Sequence, residues 1–305
     1  MNIKAYMLAI LVINSNASDI NSIDLMNHAA IFGLPTIVRT FATPQNMYTL
    51  DSKGGSLIPH AISGAFTHKN MDAFREIIKI IKHNKGDLDR VMSLENPTPC
   101  QHNGMDFASI MAVASLYSEP VDILCQEEVN PFAKRTGEKQ SPFERILALS
   151  EVCEDAHKVV HVMGKYATNI HDAAKALNSG AIARLATREN VNSANSERKT
   201  ALFYAIRYGH LAKKCELNLV IKRLVELGAN PNSDLVDTPV PGFTYMHFAT
   251  PGAALTEKLN VLEALLANGG SPRSGRSSTA YDMAESEIHP YYSKVRELFD
   301  AHEKK

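Results

Sequence analysis

Alanines at equivalent positions recur in this chain at a nearly fixed interval: Ala29 to Ala61 is 32 residues, Ala173 to Ala205 is 32, and Ala249 to Ala284 is 35. A period of this length marks an array of stacked supersecondary units. The constraint on folding is strong, because one such unit cannot bury its apolar face alone and needs neighbours to cover it. From Ala205 to Ala249 the interval is 44. The excess falls partly in a polar insert at residues 211–218 and partly in the proline-rich 237–241, and insertions of this type often line a binding face.

The clearest unit spans residues 197–232. Lys199-Thr200-Ala201-Leu202-Phe203-Tyr204-Ala205-Ile206-Arg207-Tyr208-Gly209-His210 leads, after the insert, into Leu224-Val225-Glu226-Leu227-Gly228-Ala229-Asn230-Pro231-Asn232. The next, residues 242–272, opens on Thr244-Tyr245-Met246-His247 and closes on Leu265-Leu266 before Gly269-Gly270. Physical chemistry sets these positions. A threonine hydroxyl caps the first helix, small alanines let helices pack closely, and the closing glycine supplies the left-handed turn that ends the second helix.

These landmarks resemble the ankyrin repeat. The resemblance implies an all-α ankyrin-repeat solenoid of stacked helix-turn-helix units, about seven or eight including degenerate terminal caps. Further units open at residues 51–58, followed by a second helix with Phe74, Ile77, Ile78, Ile80 and Ile81 at helical spacing, at Ser141-Pro142-Phe143, at Ile170-His171-Asp172-Ala173-Ala174 and at Thr279-Ala280-Tyr281. Leu25-Met26-Asn27-His28-Ala29-Ala30 reads as a degenerate first unit, and residues 103–132 as the least regular one. The expected organisation is an apolar cap at 1–20, degenerate repeats at 21–166, well-matched repeats at 167–276 and a C-terminal capping repeat at 277–305. Pro59 and Ser109 stand where the family usually has histidine.

Lysine and arginine number 32 against 33 acidic residues. That balance gives no electrostatic case for nucleic acid or an anionic membrane and favours a protein partner. Cys100, Cys125, Cys153 and Cys215 are scattered, with no Cys-x-x-Cys pair, as in reduced and mostly buried intracellular thiols. No apolar run reaches the length of a membrane span. Lys4, the apolar residues 5–13 and Ser15-Asn16-Ala17 fit either a cleaved secretory signal or an apolar cap on the first repeat, and the cap is the preferred reading. The protein is expected in the cytoplasm or translocated into a host cell, with the periplasm as the alternative.

Three groups of residues invite a chemical reading. Cys153, His157 and His161, at i, i+4 and i+8, share one helical face and reach one metal ion, but no fourth ligand is evident unless Asp155 or His171 supplies it. Cys100-Gln101-His102 pairs a thiol with an imidazole, yet adjacent residues rarely meet in the geometry a nucleophile and base require. Gly54-Gly55-Ser56 lacks the lysine of a phosphate-binding loop. The expectation is therefore no catalytic residue, no metal and no cofactor, with a cysteine- or metal-dependent hydrolase within residues 97–163 as the alternative. His28, His171 and His247 fall where the family's histidine bonds to neighbouring loop backbone. Residues 224–232 loosely resemble the segment that asparagine hydroxylases modify, with Asn232 as the acceptor, although the ordinary role of that asparagine is to bond the turn into the next repeat.

The resemblance also implies where a partner sits: on the turn tips and on two exposed residues of the first helix. Here these are Arg207 and Tyr208, with tip residues Ser196, Glu197 and Lys199, Phe243 in the next unit, and Ser52 and Lys53 in an earlier one. Exposed arginine, tyrosine and phenylalanine are what interface hot spots use. The expected protein is a monomeric, non-catalytic interaction module. Its asparagine- and serine-rich turns and charged C-terminus resemble effectors that intracellular bacteria deliver into host cells, where the partner would be a host protein.

Overall fold

The structure is a computed structural model that describes residues 22–47, 49, 57–84, 118–134, 140–235, 242–256, 258–275, 279–286 and 291–304. Among these residues there are fifteen α-helices, one 3-10 turn and no strand, so the described part of the protein is all-α. An isolated bridge joins Asp234 to Thr244. No helix among the described residues is long and apolar enough to cross a membrane. The chain divides into two compact units, residues 1–162 and 163–305.

The first unit holds α1 (Ser22–Ile31), α2 (Pro35–Phe41), α3 (Leu57–His68), α4 (Met71–His83), α5 (Ser118–Gln126) and α6 (Pro142–Ser150), and α7 (Glu154–Gly164) runs to its end. Helix α1 packs on α2 and α3, while α2 and α3 both pack on α4. Helix α4 follows from its pattern: Phe74, Ile77, Ile78, Ile80 and Ile81 are all buried, as their spacing predicts. The Asn70 side chain caps it by accepting from Ala73 N–H at 3.1 Å. Ser141 and Glu144 form a reciprocal capping box at the start of α6, with Pro142 in its first turn. Gly64 lets α3 lie against α1, because a Cβ there would stand 2.1 Å from the Ile31 carbonyl oxygen.

The second unit holds α8 (Ile170–Lys175), α9 (Ser179–Leu185), α10 (Ala201–Tyr208), a 3-10 turn at Gly209–Leu211, α11 (Lys214–Glu226), α12 (Tyr245–Thr256), α13 (Asn260–Ala267), α14 (Ala280–Ser286) and α15 (Tyr291–Glu303). Each of α8, α10, α12 and α14 touches the next, forming one row, and α9, α11 and α13 form a second row behind it. Within each pair the front helix packs on the rear one. Gly228 and Gly269 end α11 and α13 with φ of +109° and +85°, the left-handed turns that glycine makes without strain. At the far end α15 packs on α14 and α12, burying Val295 and Phe299. Arg273 is tied to Glu303 and stacks on Tyr281 at 4.0 Å, which pins this last pair.

Side-chain amides join successive turns. Asn192 Nδ2 donates to the Gly228 carbonyl at 3.0 Å, and Asn232 Nδ2 donates to the Gly269 carbonyl at 2.8 Å. Asn232 therefore bonds its turn into the next one, as its place in the sequence predicts.

Residues 211–218 are not the polar insert that the sequence suggests. Leu211 ends the 3-10 turn, and Lys214 already begins α11. Leu217, Val220, Ile221 and Leu224 recur at three and four residues and are each 0% exposed. Burying each such side chain contributes about 1.5–3 kcal/mol, so the helix extends forward to capture Leu217.

The two units also carry the same helix pair, offset by 144 residues. Helix α2 at 35–41 corresponds to α9 at 179–185, and buried Ala29, Ala30, Val38 and Ala42 correspond to Ala173, Ala174, Ile182 and Ala186. Behind each pair sits one device. Thr43 N–H donates to Asn46 Oδ1 at 2.7 Å, and Thr187 N–H donates to Asn190 Oδ1 at 2.8 Å. Asn46 Nδ2 then reaches the Phe41 carbonyl and Asn190 Nδ2 the Leu185 carbonyl, satisfying an orphan acceptor at each helix end.

Candidate functional site

Helix α10 begins where its sequence predicts, with Thr200 Oγ1 accepting from Phe203 N–H at 3.2 Å. The turn before it is shaped by Asn195, whose Oδ1 accepts from the N–H groups of Glu197 at 3.0 Å and Lys199 at 3.1 Å. Arg198 occupies the left-handed region there, at φ +58°. This turn presents Ser196, Glu197 and Lys199, and two of the three are engaged. Tyr204 Oη donates to Glu197 Oε2 at 2.7 Å and accepts from Asn195 Nδ2 at 2.8 Å. Lys199 Nζ lies over the Phe203 ring at 5.0 Å. Ser196 is exposed. Burial, and then the hydrogen bond to Glu197, push the Tyr204 phenol well above its ordinary range.

Tyr204 is the hub of an aromatic line along the front row. Its ring meets His171 of α8 edge-on at 6.3 Å, carries Lys175 Nζ at 4.8 Å and stacks on Tyr208 at 6.5 Å. Phe203 continues the line to Phe248 of α12 at 5.1 Å. Arg207 is exposed and sits 5.7 Å from the Tyr208 ring, whereas Tyr208 is half-buried. The pair expected at the partner's position is thus one open cation resting on one partly packed ring. Cation–π contacts of this kind contribute about 0.5–1 kcal/mol at exposed sites, enough to hold the guanidinium in place without hiding it.

Beside this line, Ile206, Phe248, Ala249, Ala253 and Val261 wall a groove of about 200 Å³ between α10 and α12, with Arg207, His210 and Lys258 around it. Gly252 forms part of its surface, with open space where a Cβ would be. Gly209 serves a different purpose. A Cβ there would meet Leu217 at 2.9 Å and Val261 at 3.0 Å, so the glycine allows the end of α10 to approach the helices behind it.

The residues expected at the site therefore divide. Ser196, Glu197, Lys199, Arg207 and Tyr208 lie on one turn and the helix it leads into. Phe243 is half-buried, against His247 at 5.1 Å, near the start of α12. Ser52 and Lys53 lie outside the described residues. Sequence reasoning missed Phe203, Phe248 and Lys175. The register alanines offered one signal, since Tyr204 and Phe248 immediately precede Ala205 and Ala249.

The three histidines do not share one role. His171 Nε2 bonds the Ser193 carbonyl at 2.9 Å, a bond to a neighbouring loop. His247 is buried and accepts at Nδ1 from Thr244 N–H at 3.1 Å, bracing the start of its own helix. His28 bonds the Asp24 carbonyl one turn back at 2.7 Å. The sequence-based expectation of a loop contact is corrected for His28, whose bond stays within its own helix.

Cys153 stands just before α7, with His157 and His161 on it, and among the described residues no three His, Cys, Asp or Glu side chains gather as a metal ion requires. Cys100 and His102 lie outside the described residues. Cys125 is buried, Cys153 half-buried and Cys215 exposed, all as free thiols. Cys215 departs from the expected burial because it falls in the first turn of α11, off the face that Leu217 and Ile221 bury.

No protein-family model matches this chain, and no curated protein matches it either.

Proposed function

We propose that this chain is a non-catalytic protein-interaction module, an ankyrin-repeat solenoid that binds a protein partner on the concave face formed by its front helices and turn tips. The observation that carries this reading is the line across α10 and α12, where half-buried Phe203, Tyr208 and Phe248 and exposed Arg207 surround the buried Tyr204, with Lys199 over the Phe203 ring. Rigid aromatic surface flanked by arginine is the composition of interface hot spots. The two-row packing of the second unit, the left-handed glycines and the asparagine bonds between turns support the repeat assignment.

Affinity capture from eukaryotic lysate, followed by mass spectrometry, tests the reading by comparing the wild-type chain with an Arg207→Glu, Tyr208→Ala double variant of verified helicity. Hot-spot residues each contribute about 2 kcal/mol or more, so the double variant loses at least roughly thirty-fold in affinity. Equal capture by both chains would place the binding site elsewhere. The resemblance to bacterial effectors extends the proposal to a host protein as the partner, and this extension requires that the captured protein bind directly when purified.

A further inference from the structure

Asn268 and Gly269 form a chemically labile pair at the end of α13. An asparagine followed by glycine loses its side-chain amide without any enzyme, because glycine has no side chain to keep its backbone nitrogen away from the asparagine Cγ. The bond from the Gly269 nitrogen to Asn268 Cγ forms as the Cγ–Nδ2 bond breaks, and the Gly269 amide proton leaves with Nδ2 as ammonia by way of solvent. Water then opens the five-membered imide at either carbonyl, giving aspartate or isoaspartate. Water is the one co-reactant.

The folded chain holds this pair out of the reacting geometry. Asn268 is half-buried, and its Nδ2, the leaving group, donates to the Ala264 carbonyl at 2.7 Å and to Asn218 Oδ1 of α11 at 2.9 Å. Ring closure needs the Gly269 nitrogen on the same side as Asn268 Cβ, whereas the ψ of 29° at Asn268 turns it nearly opposite. That nitrogen also donates to the Leu266 carbonyl at 3.3 Å. Beyond it, Gly269 is fixed at φ +85°, its carbonyl accepts from Asn232 Nδ2 at 2.8 Å, and Gly270 N–H donates to the Leu265 carbonyl at 2.8 Å. Asn218 belongs to α11 and Asn232 to the turn after it, so stacking itself supplies part of the guard.

We propose that Asn268-Gly269 is a modification site gated by stacking: deamidation proceeds when the closing turn of α13 lifts from α11, and the product keeps that turn from closing again. Conversion puts a carboxylate oxygen where Nδ2 stood. Asn218 can turn its own amide to meet that oxygen, but the Ala264 carbonyl cannot, and acceptor then faces acceptor. Isoaspartate also adds a methylene to the backbone, which moves the Gly269 carbonyl away from Asn232. The rear row thus accumulates a covalent record of how long its turn has been open. This chemistry is independent of what the front row binds.

The test is incubation of the full chain in mildly alkaline buffer beside a synthetic peptide of residues 259–273, followed by digestion and mass spectrometry that separates aspartate from isoaspartate at position 268. The peptide is expected to convert mainly to isoaspartate, and the folded chain at least roughly tenfold more slowly. Asn218→Ala and Asn232→Ala each remove a bond that holds the turn and are expected to speed conversion by roughly two- to tenfold. Lys79→Ala, on an exposed face of the first unit, leaves the rate as in wild type. Circular dichroism and thermal unfolding establish that each variant is folded at the incubation temperature. Asn268→Asp, which carries the carboxylate without any reaction, is expected to melt below wild type. Equal rates in chain and peptide, a peptide that keeps its amide, or a rate unmoved by both Asn218→Ala and Asn232→Ala would overturn the proposal, as would an Asn268→Asp chain that melts with wild type.

Discussion

Asn232 reaches across to the Gly269 carbonyl with its side-chain amide at 2.8 Å, while its Oδ1 accepts from Ser271 N–H at 2.7 Å. One side chain thus satisfies a donor and an acceptor of the next turn, 37 and 39 residues along the chain. Local sequence cannot form such a bond without stacking, so it reports the stacked state directly.

Replacing Asn232 by alanine removes both bonds and is expected to cost about 1–3 kcal/mol. Asn192 makes the single corresponding bond to Gly228, in an exposed position, and Asn192→Ala is expected to cost about half as much. Urea denaturation followed by circular dichroism measures both. Equal losses would show that the second bond of Asn232 contributes nothing.

Glycine-to-alanine substitutions rank by what the new methyl meets. Gly64→Ala drives a Cβ into the Ile31 carbonyl at 2.1 Å, against backbone, and is expected to destabilise by more than about 3 kcal/mol. Gly209→Ala meets the ends of the Leu217 and Val261 side chains, which can shift, at a cost of about 1–3 kcal/mol. Gly252→Ala meets nothing within 4 Å inside a helix and is expected to be neutral or to stabilise by about 0.5–1 kcal/mol. Thermal unfolding of the three variants gives the order, and a destabilised Gly252→Ala would contradict the open groove.

Alkaline pH should weaken the fold through Tyr204. Its phenol is held above the ordinary value of 10.0 by burial and by the bond to Glu197, so the folded chain keeps the proton after the unfolded chain has released it. A raised pKa stabilises fully below the unfolded value, and this contribution is lost as pH climbs from about 10 toward the folded value. Urea midpoints measured from pH 8 to 11 should therefore fall at the alkaline end, and fall less steeply in Tyr204→Phe. Tyr245, also raised chiefly by burial, leaves a residual slope in that variant. Parallel slopes would remove Tyr204 from the account.

Much of this fold is legible in the sequence because it is written in local signals. The isoleucines of α4 lie within one helix, Thr200 caps three residues downstream, and Gly228 and Gly269 each end the helix just before them. The front-row line is less legible, since Phe203 and Phe248 come together only through the packing of α10 on α12. The early start of α11 is hidden because two lysines, a cysteine, a glutamate and one asparagine surround Leu217, so its apolar stripe looks interrupted until Val220 and Ile221 are counted with it. The three histidines occupy similar sequence contexts and bond three different acceptors or donors, which depends on the neighbouring turn and not on the residue type.

The measurement that tests the central claim most directly is amide hydrogen exchange of the chain with and without a purified partner obtained by capture. The account predicts added protection at residues 195–208 and 243–252, the turn and front helices, and none at α11 and α13 of the rear row. Protection confined to α11 and α13, or to the first unit, would contradict it.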